Sequence, residues 1–251
     1  MKIAIVTGAS SGMGREAVLQ IAGRFSGLEE IWVIARRKER LEELRSEVRV
    51  PLRILDLDLA EASSLESLKA ILEKVHPQVK LLINAAGYGK VGPIGSQNLE
   101  TETGMVHLNC EALCGLTHVA LPYLTDNSRI LQFASSAAFL PQPDFAIYAA
   151  TKAFVLSYSR ALHAELRHRG IAVTAVCPGP VRTEFFDVAE SEGKTPFYKQ
   201  LFMADPKKVV KKAITDSMMG KTTSVYGISM KGFSLLCKLL PHDLILRIYK
   251  M

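Results

Sequence analysis

The fold of this chain is decided by one stretch near its N-terminus, Thr7-Gly8-Ala9-Ser10-Ser11-Gly12-Met13-Gly14-Arg15. An apolar run that is typical of a buried strand, Ile3–Thr7, leads directly into it. Glycines let a backbone turn sharply, and a helix that begins there presents free N–H groups and the positive end of its dipole. The spacing TGxxxGxG between a strand and a helix therefore predicts a site for the pyrophosphate of a dinucleotide. The residues that we expect to hold it are Gly8, Ser10, Ser11, Gly12, Met13 and Gly14.

Apolar, β-branched runs recur along the chain and alternate with segments long enough to hold a helix. We expect strands at Ile3–Thr7, Ile31–Ala35, Leu52–Leu55, Leu81–Asn84, Arg129–Ala134 and Ala172–Cys177. Short strands that are almost entirely apolar are typical of a parallel sheet covered on both faces by crossover helices. The sequence therefore predicts an α/β fold, a doubly wound parallel sheet with helices on both faces.

The composition narrows the class of protein. With 251 residues, 48% hydrophobic and 22% charged, the chain has enough apolar side chains for one folded domain, 1–251. The net charge of +6 is not gathered into a long basic run, so we expect no nucleic-acid partner. Six histidines without metal-ligand spacing predict no metal. Four cysteines without a CxxC pair favour a reduced, cytoplasmic protein; they are Cys110, Cys114, Cys177 and Cys237.

The end of the second predicted strand indicates which dinucleotide is bound. A fold that prefers NAD usually has an acid there for the ribose 2′-hydroxyl, whereas this chain has Arg36 followed by Arg37. A guanidinium can pair bidentately with a 2′-phosphate, so Arg36 predicts NADP(H), with Arg37 and Arg15 as further candidate contacts. At the end of the third strand, Asp56 is expected to meet the adenine edge, with Leu57 beside it.

A phenol and an ammonium group are spaced i, i+4 at the start of the clearest predicted helix, as Tyr148 and Lys152. That helix is expected to run from near Tyr148 to about Arg169 and to stop at Gly170. Tyrosine has a reference pKa of about 10 and is a poor proton shuttle near neutrality unless a neighbouring cation favours the phenolate. The pair is therefore a candidate acid–base site.

Together these motifs resemble the short-chain dehydrogenase/reductases over nearly the whole chain. Four further matches support the resemblance: Ser135-Ser136, Asn84-Ala85-Ala86-Gly87 in place of the family's NNAG, Asn109, and Pro178-Gly179-Pro180-Val181-Arg182-Thr183. The resemblance implies a Rossmann sheet of about seven strands, for which Val225–Ile228 is the candidate seventh. It also implies hydride transfer between a nicotinamide and a carbonyl or secondary alcohol, in a homodimer or homotetramer.

The resemblance assigns a role to each candidate residue. Tyr148 would be the general acid in reduction, and Lys152 would lower its pKa and bind the nicotinamide ribose. Ser135 would polarise the substrate oxygen, and Asn109 would position a water that connects Lys152 to solvent. Loop residues implied to contact the cofactor are Asn84, Ala85, Ala86, Gly87, Pro178, Gly179, Val181 and Thr183, of which Val181 and Thr183 would fix the carboxamide.

Two assignments stay open at this stage. The family usually places twelve residues between the serine and the tyrosine, which selects Ser135, yet it often has a serine pair whose second member is catalytic, which selects Ser136. We prefer Ser135 because it needs no gap. Asn84 and Asn109 each have a structural alternative, in which the side chain only ties adjacent backbone together, and for Asn84 this can be the whole role.

Two segments bear on the substrate. Residues 184–205 are expected to form a substrate flap, and its aromatic side chains, with Phe139 and Phe145, favour an apolar substrate; they are Phe185, Phe186, Phe197, Tyr198 and Phe202. The tail 232–251 is apolar with interspersed cations and is interrupted by Pro241. For this tail we favour an oligomer contact or closure over the pocket, with peripheral membrane contact as the minority interpretation.

The function that we predict is NADP(H)-dependent reduction of an apolar ketone or a hydroxysteroid-like substrate. A 3-oxoacyl thioester reductase is the alternative, and a short polyol or sugar dehydrogenase fits the aromatic flap less well. A regulator that binds NADPH without turnover is the minor alternative, because relatives without activity usually lack the tyrosine or the lysine, and both are present here.

Overall fold

The computed structural model of the protein describes residues 1–189 and 203–249. Within these residues seven strands form one parallel sheet in the order β3-β2-β1-β4-β5-β6-β7. The strands are β1 (Lys2–Thr7), β2 (Glu30–Ile34), β3 (Leu52–Leu55), β4 (Gln78–Asn84), β5 (Leu124–Phe133), β6 (Ala172–Val176) and β7 (Thr223–Ser224). The predicted doubly wound, Rossmann-like fold is confirmed.

The helices follow the strands in the expected alternation. They are α1 (Gly12–Arg24), α2 (Lys38–Arg45), α3 (Ala62–Val75), α4 (Leu99–Val106), α5 (Leu113–Ala120), α6 (Ala146–Glu165), α7 (Phe185–Ala189), α8 (Pro206–Met218), α9 (Ile228–Leu239) and α10 (His242–Tyr249). A π-helical turn, His107–Ala112, joins α4 to α5, and short 3-10 turns lie at Leu121–Tyr123, Ser136–Phe139 and Leu166–Arg169. As predicted, the helical segment that contains Tyr148 ends at Gly170, which has a φ of 66°.

Alternate side chains of the strands enter two separate cores. Ala4 and Val6 of β1 pack with α1, α2 and α8, whereas Ile3 and Ile5 pack with α3, α5 and α6 on the other face. Strands that are buried on both faces have no polar side to present to water, and this is why they appear in the sequence as continuous apolar runs.

The seventh strand is not where it was expected. The structure pairs Thr223 and Ser224 with β6, while the candidate segment Val225–Ile228 follows the strand and ends at the start of α9. The two-residue strand is too short and too polar to give the apolar run on which strand prediction depends.

A buried carboxylate ties this edge of the sheet to α8. Asp216 on α8 accepts hydrogen bonds from the Ser224 hydroxyl at 2.7 Å and from the ammonium groups of Lys212 and Lys221 at 2.7 and 2.9 Å. Burial would raise the pKa of the Asp216 carboxyl, but these three bonds outweigh it and hold the pKa below its ordinary value.

We expect Asp216→Ala to lower the free energy of unfolding by about 2–3 kcal/mol, because it leaves the buried Ser224 hydroxyl without its acceptor. The depressed pKa stabilises the folded state above pH 3.8, and this contribution is lost as the pH falls through the folded-state pKa. Urea unfolding at pH 7 and at pH 3 measures both effects. Asp126→Ala is the matched control, since Asp126 is exposed and should cost less than about 0.5 kcal/mol; equal losses in the two variants would contradict the prediction.

Candidate active site

A cleft of about 1330 Å³ opens at the carboxyl edge of the sheet, beside the ends of β1 and β4. Helices leave these two neighbouring strands toward opposite faces, which is where open α/β sheets bind their ligands. Of the predicted cofactor residues, thirteen line the cleft: Gly8, Ser10, Ser11, Gly12, Met13, Gly14, Arg36, Arg37, Leu57, Ala85, Ala86, Gly87 and Thr183.

The glycine turn forms one wall of the cleft, and its shape excludes side chains. A Cβ at Gly8, which has a φ of +65°, would lie 2.8 Å from the carbonyl oxygen of Ala85, and a Cβ at Gly14 would overlap the carbonyl of Gly8. Ser11 precedes α1 without capping it through its side chain. The turn and the uncapped helix N-terminus therefore fit a pyrophosphate group, which needs close backbone approach and N–H donors.

The two arginines after β2 take up different positions in the cleft. Arg37 donates to the hydroxyl of Ser10 at 3.1 and 3.2 Å and to that of Ser11 at 2.7 Å. Arg36 has a side chain that is 73% exposed, and its guanidinium lies 3.7 Å from a carboxylate oxygen of Asp58. Arg37 is thus anchored to the glycine turn, whereas Arg36 extends along the rim. Arg15 is occupied by an ion pair with Glu47.

A carboxylate from the far side of the cleft reaches the same basic cluster. Glu184, the residue after Thr183, accepts from Arg37 at 3.0 Å and from Arg40 at 2.5 Å. Hydrogen bonds from Arg40 and Arg37 lower the pKa of the Glu184 carboxyl below its usual value. No local pattern predicts this contact, because 147 residues separate Glu184 from Arg37.

Some predicted cofactor residues do not line the cleft. Asp56 is exposed outside it, and Asp58 lines it. The side chain of Asn84 is buried and donates to Thr117 at 3.1 Å and to Gln132 at 2.9 Å, which is the structural alternative considered above. Three further residues are also not among those that line the cleft: Pro178, Gly179 and Val181.

The candidate acid, Tyr148, is enclosed by aromatic rings at the start of α6. Phe145 stacks on its ring at 4.3 Å between centroids, Phe185 of the flap lies at 5.3 Å, and only 7% of Tyr148 is exposed. Burial raises the pKa of the Tyr148 phenol to about 12, and a side-chain hydrogen bond with Ser135 lowers it in part. The expectation that Lys152 lowers this pKa stays a prediction, because the two causes that shift the pKa in this structure are burial and Ser135.

Lys152 is also buried, one helical turn further along α6. Its Nζ donates to the carbonyl of Phe133 at 2.8 Å and lies 5.6 Å from the centre of the Tyr148 ring. Burial lowers the pKa of Lys152 to about 8. A Cβ at Gly87 would come within 3.3 Å of this Nζ, so the glycine is what brings the backbone of the cleft against the ammonium group.

Asn109 lies fully buried in the π-helical turn, and both hydrogens of its side-chain amide are used. The amide donates to the carbonyl of Tyr88 at 2.9 Å and to Thr151 at 3.0 Å, while its oxygen accepts from the N–H of Tyr88 at 3.1 Å. With both amide hydrogens in use, the side chain has no donor left for a water. What it does here is hold the loop after β4 against α6.

The two serines after β5 point to different neighbours. The hydroxyl of Ser135 accepts from the N–H of Ala137 at 3.1 Å and reaches Tyr148, as described above. The backbone N–H of Ser136 donates to the carbonyl of Pro178 at 2.8 Å. The geometry thus favours Ser135 as the partner of the phenol.

Comparison with known proteins identifies the family of this chain. The sequence pattern of the short chain dehydrogenases matches residues 2–193. The chain belongs to this family. The resemblance inferred from its motifs is confirmed, and with it an oxidoreductase acting on alcohol or carbonyl groups.

Individual short-chain dehydrogenases are similar over most of the chain. Sulfoacetaldehyde reductase of Chromohalobacter salexigens is 35% identical over 188 residues, covering 72% of each chain. Very-long-chain 3-oxoacyl-CoA reductase of Homo sapiens is 28% identical, over 89% of this chain and 70% of that one. The structure of a short-chain dehydrogenase from Sphingobium yanoikuyae in complex with NADPH superposes with a TM-score of 0.80, at 28% identity over 94% and 92% of the two chains. Structures that share the fold also carry NAD or NADH, so the fold alone does not select the cofactor.

Two kinds of feature are absent from the described residues. No helix among them is long and apolar enough to cross a membrane. They also contain no cluster of three or more His, Cys, Asp or Glu side chains that could hold a metal ion.

The contrast between the two serines gives a prediction. We expect Ser135→Ala to lower kcat/KM by about tenfold or more, because it removes the hydroxyl that reaches Tyr148 and would act on developing oxyanion charge. Ser136→Ala should stay near wild type, since the contact of Ser136 described above is made by its backbone. Steady-state kinetics on one ketone compares them, and a larger loss in Ser136→Ala would move the assignment to Ser136.

Proposed function

We propose that this short-chain dehydrogenase uses NADP(H) to reduce an apolar ketone or hydroxysteroid-like carbonyl, with residues 1–251 forming one domain. The observation that carries the proposal is the convergence of Ser135, Tyr148 and Lys152 behind the cleft whose wall is the glycine turn. A protein that only bound the cofactor would have no need of a buried ammonium beside a buried phenol, both of which cost free energy to desolvate.

In the proposed reaction, each of these residues would have a separate role. The glycine turn would hold the pyrophosphate, and Arg36 and Arg37 the 2′-phosphate. The bound nicotinamide would supply the hydride. Tyr148, kept protonated by its raised pKa, would donate the phenolic proton to the substrate oxygen, and Ser135 would hold that oxygen. Lys152 would stabilise the phenolate that remains.

The aromatic side chains support an apolar substrate in part. Phe145 and Phe185 stand at Tyr148, where they would contact a substrate carbonyl's apolar substituents. Phe139 is buried against Phe233 of α9 and belongs to the core. Phe186 packs edge-on against Phe185 at 5.6 Å between ring centroids. The other three expected flap aromatics, Phe197, Tyr198 and Phe202, lie outside the described residues.

A 3-oxoacyl thioester is the second candidate substrate, and the specific observation in its favour is the relative from Homo sapiens that is named for this activity. Both candidates present a carbonyl with apolar substituents. A direct comparison of a 3-oxoacyl thioester with a bulky cyclic ketone, at equal NADPH, separates them by kcat/KM.

We further propose a homodimer or homotetramer in a reducing compartment such as the cytoplasm. The four cysteines are free, and three of them are buried. The proposed contact would be made by α5 and α6. These helices use most of their apolar residues inside the chain, with Leu116 and Val155 fully buried, and Phe154 remains 43% exposed on α6. Phe154 is therefore the residue on which this proposed contact would depend.

The acid–base assignment predicts a defined loss. Tyr148→Phe should retain NADPH binding and lose most of its turnover, because it removes the transferable proton and keeps the ring. In the wild type, kcat/KM for reduction should fall above pH 8, where Lys152, with its pKa lowered to about 8, loses the charge that stabilises the phenolate. Kinetics from pH 7 to 10 with saturating NADPH measures this; a flat profile or an active Tyr148→Phe would contradict the mechanism.

The basic cluster predicts the cofactor preference. A charge-assisted bond from a guanidinium to a 2′-phosphate contributes roughly 1.5–3 kcal/mol, so NADPH should be preferred over NADH by about one to two orders of magnitude. Arg36→Asp should invert this preference by repelling the phosphate. Arg45→Asp, on the exposed side of α2, is the matched control and should leave the ratio of the two kcat/KM values unchanged.

The Glu184 carboxylate gives a second test of the cofactor preference. Glu184 occupies Arg37 and Arg40, which a 2′-phosphate would also need, so the two anions would compete. Glu184→Gln should therefore strengthen NADPH binding by several-fold and leave NADH binding nearly unchanged, as measured by fluorescence titration. A wild-type preference for NADH would overturn the assignment of Arg36 and Arg37 to a phosphate.

A further inference from the structure

Helix α9, the last but one in the chain, has an inward face and an outward face, and both are apolar. Phe233 and Cys237 face inward and pack in the core beside β6. Ile228, Leu235 and Leu239 face outward at positions i, i+7 and i+11, with exposures of 90%, 58% and 72%. An outward helix face on a protein surface is ordinarily polar, so this stripe has no role in the fold of the chain.

The stripe continues beyond α9 into a larger apolar surface. Among the described residues, those from 228 to 244 contribute six exposed large hydrophobic side chains: Ile228, Leu235, Leu236, Leu239, Leu240 and Leu244. Contiguous exposed apolar surface of this kind marks an interaction site.

Basic side chains accompany the stripe. Lys231 and Lys238 are exposed on α9, and their helical positions place both along one side of the leucines. From Ser217 to Met251 the sequence contains five lysines or arginines and a single acid, Asp243; the five are Lys221, Lys231, Lys238, Arg247 and Lys250. An apolar face bordered by cations complements an anionic lipid surface, in which acyl chains lie beneath negative headgroups.

We propose that α9 and α10 dock on the surface of an anionic lipid bilayer. A second copy of this chain is the other candidate occupant, but a two-fold contact would bring Lys231 and Lys238 toward their own equivalents with only Asp243 to oppose them. A bilayer supplies the opposite charge along the whole surface. Neither helix crosses the bilayer in this arrangement, since both lie parallel to it.

Docking would place the bilayer next to the candidate active site. The inward face of α9 meets the turn after Ser135, where Phe233 lies 6.4 Å from Phe139 between ring centroids. Met230 lies against Gly179, where an added Cβ would approach its sulfur to 2.6 Å. An apolar substrate dissolved in the bilayer would then be close to the turn that holds Ser135. This consequence rests on the proposed function, whereas the docking itself does not.

The test is sedimentation of the full chain with vesicles. Wild type should sediment with vesicles of phosphatidylcholine containing phosphatidylglycerol, and much less with phosphatidylcholine alone. Lys231→Gln with Lys238→Gln should lower the partition coefficient by roughly twentyfold, at about fivefold for each charge near an anionic surface. Leu235→Asp with Leu239→Asp should abolish binding, because carboxylates would replace the apolar side chains that enter the interface.

Matched controls separate this surface from general effects of charge and exposure. Leu99→Asp on α4 and Lys74→Gln on α3 change equally exposed residues and should bind like wild type. Thermal melting of every variant checks the fold, since the substituted side chains are exposed. Absence of vesicle binding by wild type, or binding unchanged in the double variants, would overturn the proposal. So would a dimer in sedimentation velocity that Leu235→Asp with Leu239→Asp dissociates, because the face would then be a self-interface.

Vesicle binding is measured without substrate, so its outcome is independent of the proposed reaction. A chain that binds vesicles but turns over no ketone or thioester would contradict the proposed function alone. A chain that reduces ketones but ignores anionic vesicles would contradict the docking surface alone.

Discussion

The site depends on one joint between two strand ends. The hydroxyl of Thr7, the last residue of β1, accepts hydrogen bonds from the backbone N–H groups of Ala85 at 3.0 Å and Ala86 at 3.1 Å, just after β4. Because Gly8 follows Thr7 and Gly87 follows Ala86, this joint fixes the distance between the glycine turn and the loop beside Lys152. Both positions leave no room for a side chain, since a Cβ on Gly8 would lie 2.8 Å from the carbonyl oxygen of Ala85 and a Cβ on Gly87 would lie 2.7 Å from Oδ1 of Asn109.

Beyond that joint, the rest of the site depends on three buried polar side chains, those of Asn109, Tyr148 and Lys152. Asn109 ties the loop after β4 to α6 through Tyr88 and Thr151, and it does so from a π-helical turn, a form often found at functional sites. Burial then acts on the pair beneath: it raises the pKa of Tyr148 to about 12 and lowers that of Lys152 to about 8. A proton donor that stays protonated at neutral pH suits reduction of a carbonyl better than oxidation of an alcohol.

Two groups of basic side chains lie in separate parts of the structure. At the end of β2, Arg37 and Arg40 face the cleft and are bridged by Glu184. At the C-terminus, Lys231 and Lys238 accompany an apolar stripe on the outer surface. The net charge of +6 does not distinguish these two positions, because it sums over every ionised side chain of the protein.

The sequence by itself determined the fold class, the family and the glycine-turn side of the cleft, whereas the side formed by α4 and the π-helical turn was not predicted. These features are local: TGxxxGxG encodes a turn within nine residues, the apolar runs encode buried strands, and the spacing of Tyr148 and Lys152 places them on one face of α6. The two-residue strand β7 was missed because it has no apolar run, and the Asp216 carboxylate that holds the Ser224 hydroxyl of this strand lies on α8.

Only the tertiary structure decided the contacts between distant segments. Glu184 meets Arg37 across 147 residues, and Phe185 covers Tyr148, because the chain after β6 returns over the cleft. The pKa values follow burial, which depends on every element packed around a group and not on its neighbours in sequence. The sequence already indicated an external contact for the apolar tail, but only the folded chain separates the outward leucines of α9 from Phe233 and Cys237, which pack in the core.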